Sequence, residues 1–226
     1  RLKLFRILRQ MRRSSLYTDP DLLQRLKTFA GSQNLPDVVR WLDESSVLMG
    51  ENISGASGQI ATVKSDDLAF IQYSSGSTSD PKGVCLTHAN LCTNLRAIIE
   101  RLRFTPDDHA LSWMPLTHDM GLIGYHLSML TAGMNHAVMD TSLFVRRPLL
   151  WMSKASELGS TQLCSPNFGY KHFLKLFDRK GLANLDLSRV KLILNGAEPI
   201  SWDLCREFLQ ALAPFGLKAN TMQPVY

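Results

Sequence analysis

Apolar positions along this chain follow two alternating rhythms. Short, nearly unbroken apolar runs at 68–73, 110–114, 136–139, 161–164, 190–194 and 218–222 have the length and content of strands, and 68–73 reads as a buried one. Between them, apolar residues recur at helical spacing over 88–103, 120–131, 148–158, 168–177 and 201–213. Thr87 is placed to cap the first of these helices, and Gly133 to close the second. Near the start, Leu2, Leu4, Phe5, Leu8 and Met11 mark a helix with Arg6, Arg9, Arg12 and Arg13 between them. It reads as the solvated outer helix of an α/β domain rather than a membrane-surface helix. Asp19-Pro20 supplies an N-cap and a first-turn proline for a helix over 20–30, with Gly31 as its stop. The β-branched pair Val38-Val39 suggests a short strand over 38–42, and the Gly-, Ser- and Asn-rich stretch 50–66 a loop. Strands alternating with helices predict an α/β fold: layered, mostly parallel sheets flanked by helices. In such sheets ligands bind beyond the carboxyl ends of the strands.

Composition narrows the function without naming it. With 226 residues, 45% hydrophobic and 20% charged, the chain supports one sizeable core. The net charge of +5 is scattered and lacks interleaved aromatics, which argues against a nucleic-acid partner. No apolar run reaches the roughly 18 residues of a membrane span, so no stable membrane insertion is expected. Cys85, Cys92, Cys164 and Cys205 form no CxxC pair and no metal spacing. They predict buried free thiols, a reducing, cytoplasmic setting and no metal ligands. The chain begins at Arg1 inside a helical pattern and stops at Tyr226 just after a strand. Residues 1–226 are therefore expected to be part of a larger domain.

The stretch with the clearest chemistry follows the run 68–73. Tyr73-Ser74-Ser75-Gly76-Ser77-Thr78-Ser79-Asp80-Pro81-Lys82-Gly83-Val84 sets small hydroxyl residues and glycine before a lysine. Small side chains let backbone N–H groups approach an anion, hydroxyls add donors, and Lys82 adds a point charge suited to phosphate. It is not the nucleotide loop in which Gly-Lys-Ser/Thr opens a helix, because Pro81 precedes Lys82 and Gly83-Val84 follows. A serine-rich surface turn would share the composition. The order of residues, however, closely resembles the phosphate loop of the adenylate-forming superfamily, which includes acyl-CoA synthetases, adenylation domains, luciferases and fatty acyl-AMP ligases. Ser79 stands where that family usually has glycine.

Three more strings, each after a strand, extend the resemblance over essentially the whole chain. Pro115-Leu116-Thr117-His118-Asp119-Met120-Gly121-Leu122 is similar to a fatty acyl-AMP ligase motif, with Thr117 where phenylalanine is common. Ser165-Pro166-Asn167-Phe168-Gly169-Tyr170 resembles a string that borders the acyl pocket, and Asn195-Gly196-Ala197-Glu198-Pro199 resembles the adenine-contacting turn. Tyr226, ending Gln-Pro-Val-Tyr, corresponds to a tyrosine that packs on adenine. His88, His109, His126, His136 and His172 have no comparable context.

The resemblance implies part of the large N-terminal domain of a fatty acyl-AMP ligase-like enzyme. The reaction implied is activation of a fatty acid with ATP to acyl-AMP and pyrophosphate. The acyl group then passes to an acyl carrier protein or a polyketide or peptide synthase module. Ser74, Ser75, Gly76, Ser77, Thr78 and Lys82 would hold phosphates, and His118 would lie at the carboxylate. Asn195, Gly196, Ala197, Glu198, Pro199 and Tyr226 would hold adenosine. Met120, Gly121, Asn167 and Phe168 would line the acyl pocket, with the glycines leaving room beside His118. The carboxylate for Mg2+ is expected beyond Tyr226, so the segment alone is expected to be inactive. The alternatives are a long-chain acyl-CoA synthetase and a non-catalytic nucleotide- or acyl-binding module.

Overall fold

The computed structural model describes residues 2–11, 14–48, 58, 60–74, 82–180 and 182–225. These form two compact units, Arg1–Ala89 and Asn90–Tyr226. In the first, α1 (Leu2–Gln10), β1 (Leu16–Thr18), α2 (Pro20–Ser32), α3 (Pro36–Ser45) and β2 (Ser46–Leu48) precede β3 (Leu68–Ser74) and β4 (Lys82–Thr87). Asp19 caps α2 by accepting from the Leu22 N–H at 2.8 Å. Phe5 of α1 is buried with Leu23, Leu26 and Ala30 of α2 and Val38 and Leu42 of α3. Arg9 pairs with Asp37 at 2.9 Å, and that bond holds the Asp37 carboxyl below its ordinary range. The first helix is thus an outer layer on its neighbours.

The short strand expected over 38–42 is helical. Pro36 sits in the first turn of α3, and Val38 and Leu42, one turn apart, share its buried face. Packing at that spacing outweighs the β preference of two adjacent valines. β1 and β2, parallel and three residues each, are too short to leave a sequence signature. The run 68–73 is extended as expected but not buried: Leu68 is 52% exposed and Ile71 37%. Among the described residues β3 pairs with β4 alone, antiparallel, and no further strand covers this two-stranded ribbon.

α4 (His88–Leu102) leads into the second unit. There follow β5 (His109–Ser112), a π-helix (Met120–Leu127), α5 (Ser128–Ala132), β6 (Asn135–Val138), α6 (Thr141–Arg146) and α7 (Leu149–Glu157). β7 (Gln162–Ser165), α8 (Asn167–Lys180), β8 (Leu192–Asn195), α9 (Trp202–Leu212) and β9 (Met222–Pro224) complete it. The five strands are all parallel, in the order β6-β5-β7-β8-β9. Right-handed crossovers then put the π-helix and α5 on one face and α6 to α9 on the other. Trp113, Phe144, Trp151, Tyr170, Phe173 and Phe208 fill the layer under α6 to α9. The expected helix over 120–131 begins as a π-helix, and Gly133, at φ 68°, closes it. The last strand starts later than expected, because Thr221 bonds back to the Lys218 carbonyl and holds 218–221 in a turn. Cys164 and Cys205 are buried free thiols, but Cys85 and Cys92 are exposed, on the uncovered ribbon and on the outer side of α4. No helix among the described residues is long and apolar enough to cross a membrane.

At the amino ends of the strands, Asp108 is 2% exposed and ties three of them together. Its carboxylate accepts from Lys191 Nζ at 2.7 Å, Thr161 Oγ1 at 2.9 Å, and Thr105 Oγ1 and N–H at 3.0 and 3.1 Å. Burial pushes its pKa up, but the donors more than reverse this and bring it from 3.8 to about 2. The folded state therefore binds fewer protons than the unfolded one in this range. The stabilisation is fully present above about pH 4 and is lost as pH falls through about 2, with a size of about 2 kcal/mol. Asp108→Asn is expected to lower stability by about that amount at pH 7, with the gap closing toward pH 2. Urea unfolding of both forms at several pH values checks it; a gap independent of pH would refute the charge argument.

Candidate active site

The sequence brings its phosphate-type loop to the end of the β3–β4 ribbon. The register sets Lys82 opposite Ser74, and Tyr73 opposite Gly83. A Cβ at Gly83 would lie 2.8 Å from Ile71 Cγ2 and 3.2 Å from the Tyr73 ring, so glycine lets both side chains fold across the strand. Lys82 is exposed at the foot of the loop. Ser75, Gly76, Ser77 and Thr78 lie outside the described residues, as does Tyr226.

In the second unit the strand order reverses at β5, which has β6 on one side and β7 on the other. The crevice at such a reversal is where open parallel sheets take ligands. The predicted residues collect along this carboxyl edge. The Asn195 amide donates to Asn167 Oδ1 at 2.8 Å, and the Asn167 amide donates to the Pro199 carbonyl. Glu198 accepts from the Phe168 N–H at 2.5 Å, so its carboxylate caps the first turn of α8. Asn195 is fully buried, and its amide also reaches Cys205 Sγ at 3.2 Å. That side chain shapes the turn from within. Ala197 adopts φ 68°, a left-handed conformation that a non-glycine residue keeps only when its surroundings impose it. At Gly196 a Cβ would stand 2.5 Å from the Val225 carbonyl oxygen, which closes over the turn. Gly196 is buried beneath Val225, and the exposed part of the turn is Ala197 to Pro199.

His118 lies in the loop after β5, its side chain 41% exposed. Its Nδ1 stands 2.7 Å from Asp119 Oδ1, and the Met120 N–H points at both atoms, 3.1 and 2.8 Å away. With a proton on Nδ1 the ring donates to Asp119, the Met120 N–H then goes to Oδ1 alone, and Nε2 is the ring's acceptor. Gly121 does not leave room for a ligand, contrary to expectation: a Cβ there would run into the Pro115 carbonyl oxygen and reach within 3.1 Å of Met114 Cβ. The glycine is used up by the close passage of its own loop. Gly124, by contrast, faces open space, with only Met120 Cγ at 4.0 Å.

Residues 4–221 match the family model of the AMP-binding enzymes. The chain belongs to that family. Over 164 residues it is 39% identical to the medium-chain-fatty-acid–[acyl-carrier-protein] ligase JamA of Moorena producens, covering 73% of this chain and 28% of that protein. It is 42% identical to the long-chain-fatty-acid–AMP ligase FadD32 of Mycolicibacterium smegmatis, covering 70% and 26%. A fatty acyl-adenylate ligase from L. pneumophila, solved with acyl adenylate and pyrophosphate, superposes with a TM-score of 0.70 at 36% identity, covering 73% and 29%. The chain therefore spans under a third of the length of these relatives.

The structure brings Asn167 and Phe168 together with Asn195, Glu198 and Pro199, and joins them to the His118 loop through Trp113, whose ring meets Phe168 edge-on at 5.4 Å. Trp113, stacked on Phe144 at 3.9 Å, heads the string that holds His118, but its sequence gives it no role beyond that of one more apolar strand residue. Also unforeseen is a contact between His126 of the π-helix and His136 of β6, 2.9 Å apart. Ten residues separate them, and no simple period links a helix position to a strand position.

Proposed function

We propose that this chain carries the nucleotide- and carboxylate-handling residues of a fatty acyl-AMP ligase. In the reaction, a carboxylate oxygen attacks the α-phosphorus of ATP, the bond to the bridging oxygen breaks, and pyrophosphate leaves. The observation that carries the reading is the network at the carboxyl ends of β7 and β8, where Asn195, Asn167 and Glu198 hold two loops together. It is supported by relatives whose names describe fatty-acid activation, one of them onto an acyl carrier protein.

Ser74, Ser75, Gly76, Ser77, Thr78 and Lys82 take the phosphates; Lys82 offsets the charge that builds on them. His118, held by Asp119, orients the fatty carboxylate. Ala197 and Pro199 present the exposed edge of the turn to adenine with Gly196 behind them, Tyr226 covers the base, and Asn195 and Glu198 position that edge. Met120, Gly121, Asn167 and Phe168 wall the start of the acyl site. Mg2+ is proposed together with ATP and would offset charge on the triphosphate; among the described residues, no group of three or more His, Cys, Asp or Glu could hold a metal ion. A carrier-protein thiol in the cytoplasm takes the acyl group.

The complete gene product, given a fatty acid, ATP and magnesium, is expected to accumulate acyl-AMP and to load a carrier protein in preference to coenzyme A. Thin-layer separation of products from labelled fatty acid reads both. Efficient thioester formation with coenzyme A would move the protein to the acyl-CoA synthetases. No acyl-AMP with any acid would make it a binding module.

A further inference from the structure

The face of α8 turned away from the sheet carries Phe168, Lys171, His172 and Lys175, whose spacing places them in one strip along the helix. His172 borders that strip: its Nε2 donates to the Val145 carbonyl at 2.8 Å, and its ring meets Phe144 edge-on. The bond seats the last turn of α6 beside α8 and brings Arg146 and Arg147 to the strip's edge. Arg146 gives its guanidinium to the carbonyl and hydroxyl of Ser142. Arg147, Lys171 and Lys175 are exposed and have no ion-pair partner among the described residues. In this they differ from Arg9, Lys27, Lys154, Lys191 and Arg206, each paired with a carboxylate. Asp178 is the one acidic residue of α6 and α8, and it lies at the strip's far end. Asp140, at the opposite end of α6, is taken up by Ser142 and the Leu143 N–H. At the head of the strip Phe168 and Val145 are half exposed.

Resting on the reading of the chain as a fatty acyl-AMP ligase that hands its product to a carrier protein, we propose that this strip is where the carrier docks. The carrier face it fits is acidic, with carboxylates grouped round a small apolar spot. A thiol that takes the acyl group has to be brought to the adenylate, and the strip begins at Phe168, whose ring touches Trp113 and whose N–H holds Glu198. Lys175 is only about 10 Å further along α8, at 1.5 Å per residue. Exposed cations without partners leave their field free to draw in a row of carboxylates, which speeds encounter and fixes orientation. Phe168 and Val145 supply apolar area that leaves the water on docking. An anionic membrane would meet the same charge, but it takes a wider apolar face than two side chains offer.

The test loads a holo-acyl carrier protein rich in Asp and Glu with the complete gene product, reading acyl-AMP and acyl-carrier separately. Arg147→Glu with Lys171→Glu and Lys175→Glu is expected to form acyl-AMP within about twofold of the wild type, as exposed substitutions away from the site do. Its kcat/KM for the carrier is expected to fall about tenfold or more, through KM rather than kcat. Raising salt from about 0.05 to about 0.5 M is expected to slow loading by the wild type and leave the variant nearly unmoved. The milder Lys171→Gln with Lys175→Gln is expected to give an intermediate loss. Amide replacements of the carrier's carboxylates leave this protein untouched; they are expected to slow loading by the wild type but not by the triple variant. Loading indifferent to both sets of changes, with acyl-AMP formed normally, overturns the docking surface and leaves fatty-acid activation standing. Unchanged loading with loss of binding to anionic phospholipid vesicles gives the strip to a membrane and overturns it as well. No acyl-AMP from the wild type with any acid overturns the ligase reading and this proposal with it.

Discussion

Replacing Lys82 with alanine in the complete gene product is expected to slow ATP–pyrophosphate exchange by roughly 10²–10³-fold, the loss typical of one preorganised charge-stabilising donor. Lys82 opens β4 directly opposite Ser74, so the ribbon fixes both feet of the loop while the side chain stays exposed. Because it is exposed, its removal should change stability by no more than about 0.5 kcal/mol, and the loss should appear in rate rather than in folded protein. Lys82→Arg is expected to recover part of the rate. The charge survives, but a planar guanidinium replaces a compact ammonium. Exchange at the wild-type rate in Lys82→Ala would remove this residue from the phosphates and, with it, the main reason to assign the loop to a nucleotide.

The parallel sheet could be read in advance because β5, β7 and β8 are buried on both faces, and continuous apolar runs such as Leu192-Ile193-Leu194 survive any choice of neighbours. The ribbon was misjudged on the same evidence. Phe70, Ile71 and Tyr73 are as apolar as a core strand, and apolarity alone does not say whether a second layer exists to cover them. α3 was lost for a different reason. Two β-branched residues are a local signal, whereas the i, i+4 pairing of Val38 with Leu42 matters only once α1 and α2 supply a surface. Tertiary packing decided that segment.

The candidate site shows the same division. Asn167, Glu198 and Pro199 were picked out as separate strings, and their convergence follows from strands β7 and β8 being adjacent and parallel, which places consecutive carboxyl ends side by side. The roles within the cluster were not visible. Nothing in Asn-Gly-Ala-Glu-Pro says that Glu198 turns back onto the Phe168 N–H, or that Asn195 points inward to Asn167. The room expected beside His118 was misplaced for a related reason. A glycine in sequence is an absent side chain, and only the backbone path shows whether the space goes to a ligand or, as at Gly121, to the Pro115 carbonyl.

The tightest such space is at Gly169, and filling it should be the most damaging small change in the second unit. A Cβ built there falls onto Ser165 Oγ and within 2.6 Å of Trp113 Cζ2. Ser165 is fully buried, and Trp113 is fixed between Phe144 and Trp151, so neither can swing away as an exposed side chain would. Gly169→Ala must therefore push the first turn of α8 off the sheet. The stability loss expected from such overpacking is about 1–3 kcal/mol. The same shift carries Asn167 and Phe168 with it and breaks their bonds to Pro199 and Glu198, and a displacement near 1 Å at a reacting site can cost on the order of 10²-fold in rate. Gly124→Ala is the matched control, since its Cβ would meet only Met120 Cγ at 4.0 Å, and it should leave both stability and rate near wild type. Ser165→Ala removes one of the two obstructing atoms. Combined with Gly169→Ala it should restore part of the loss, giving a non-additive cycle of the kind expected only for residues in contact. Urea midpoints and ATP–pyrophosphate exchange measured on the four forms decide the matter. Strict additivity, or a Gly169→Ala protein with unchanged rate, would show that α8 accommodates the methyl and that its close seat on Trp113 is not what holds the site.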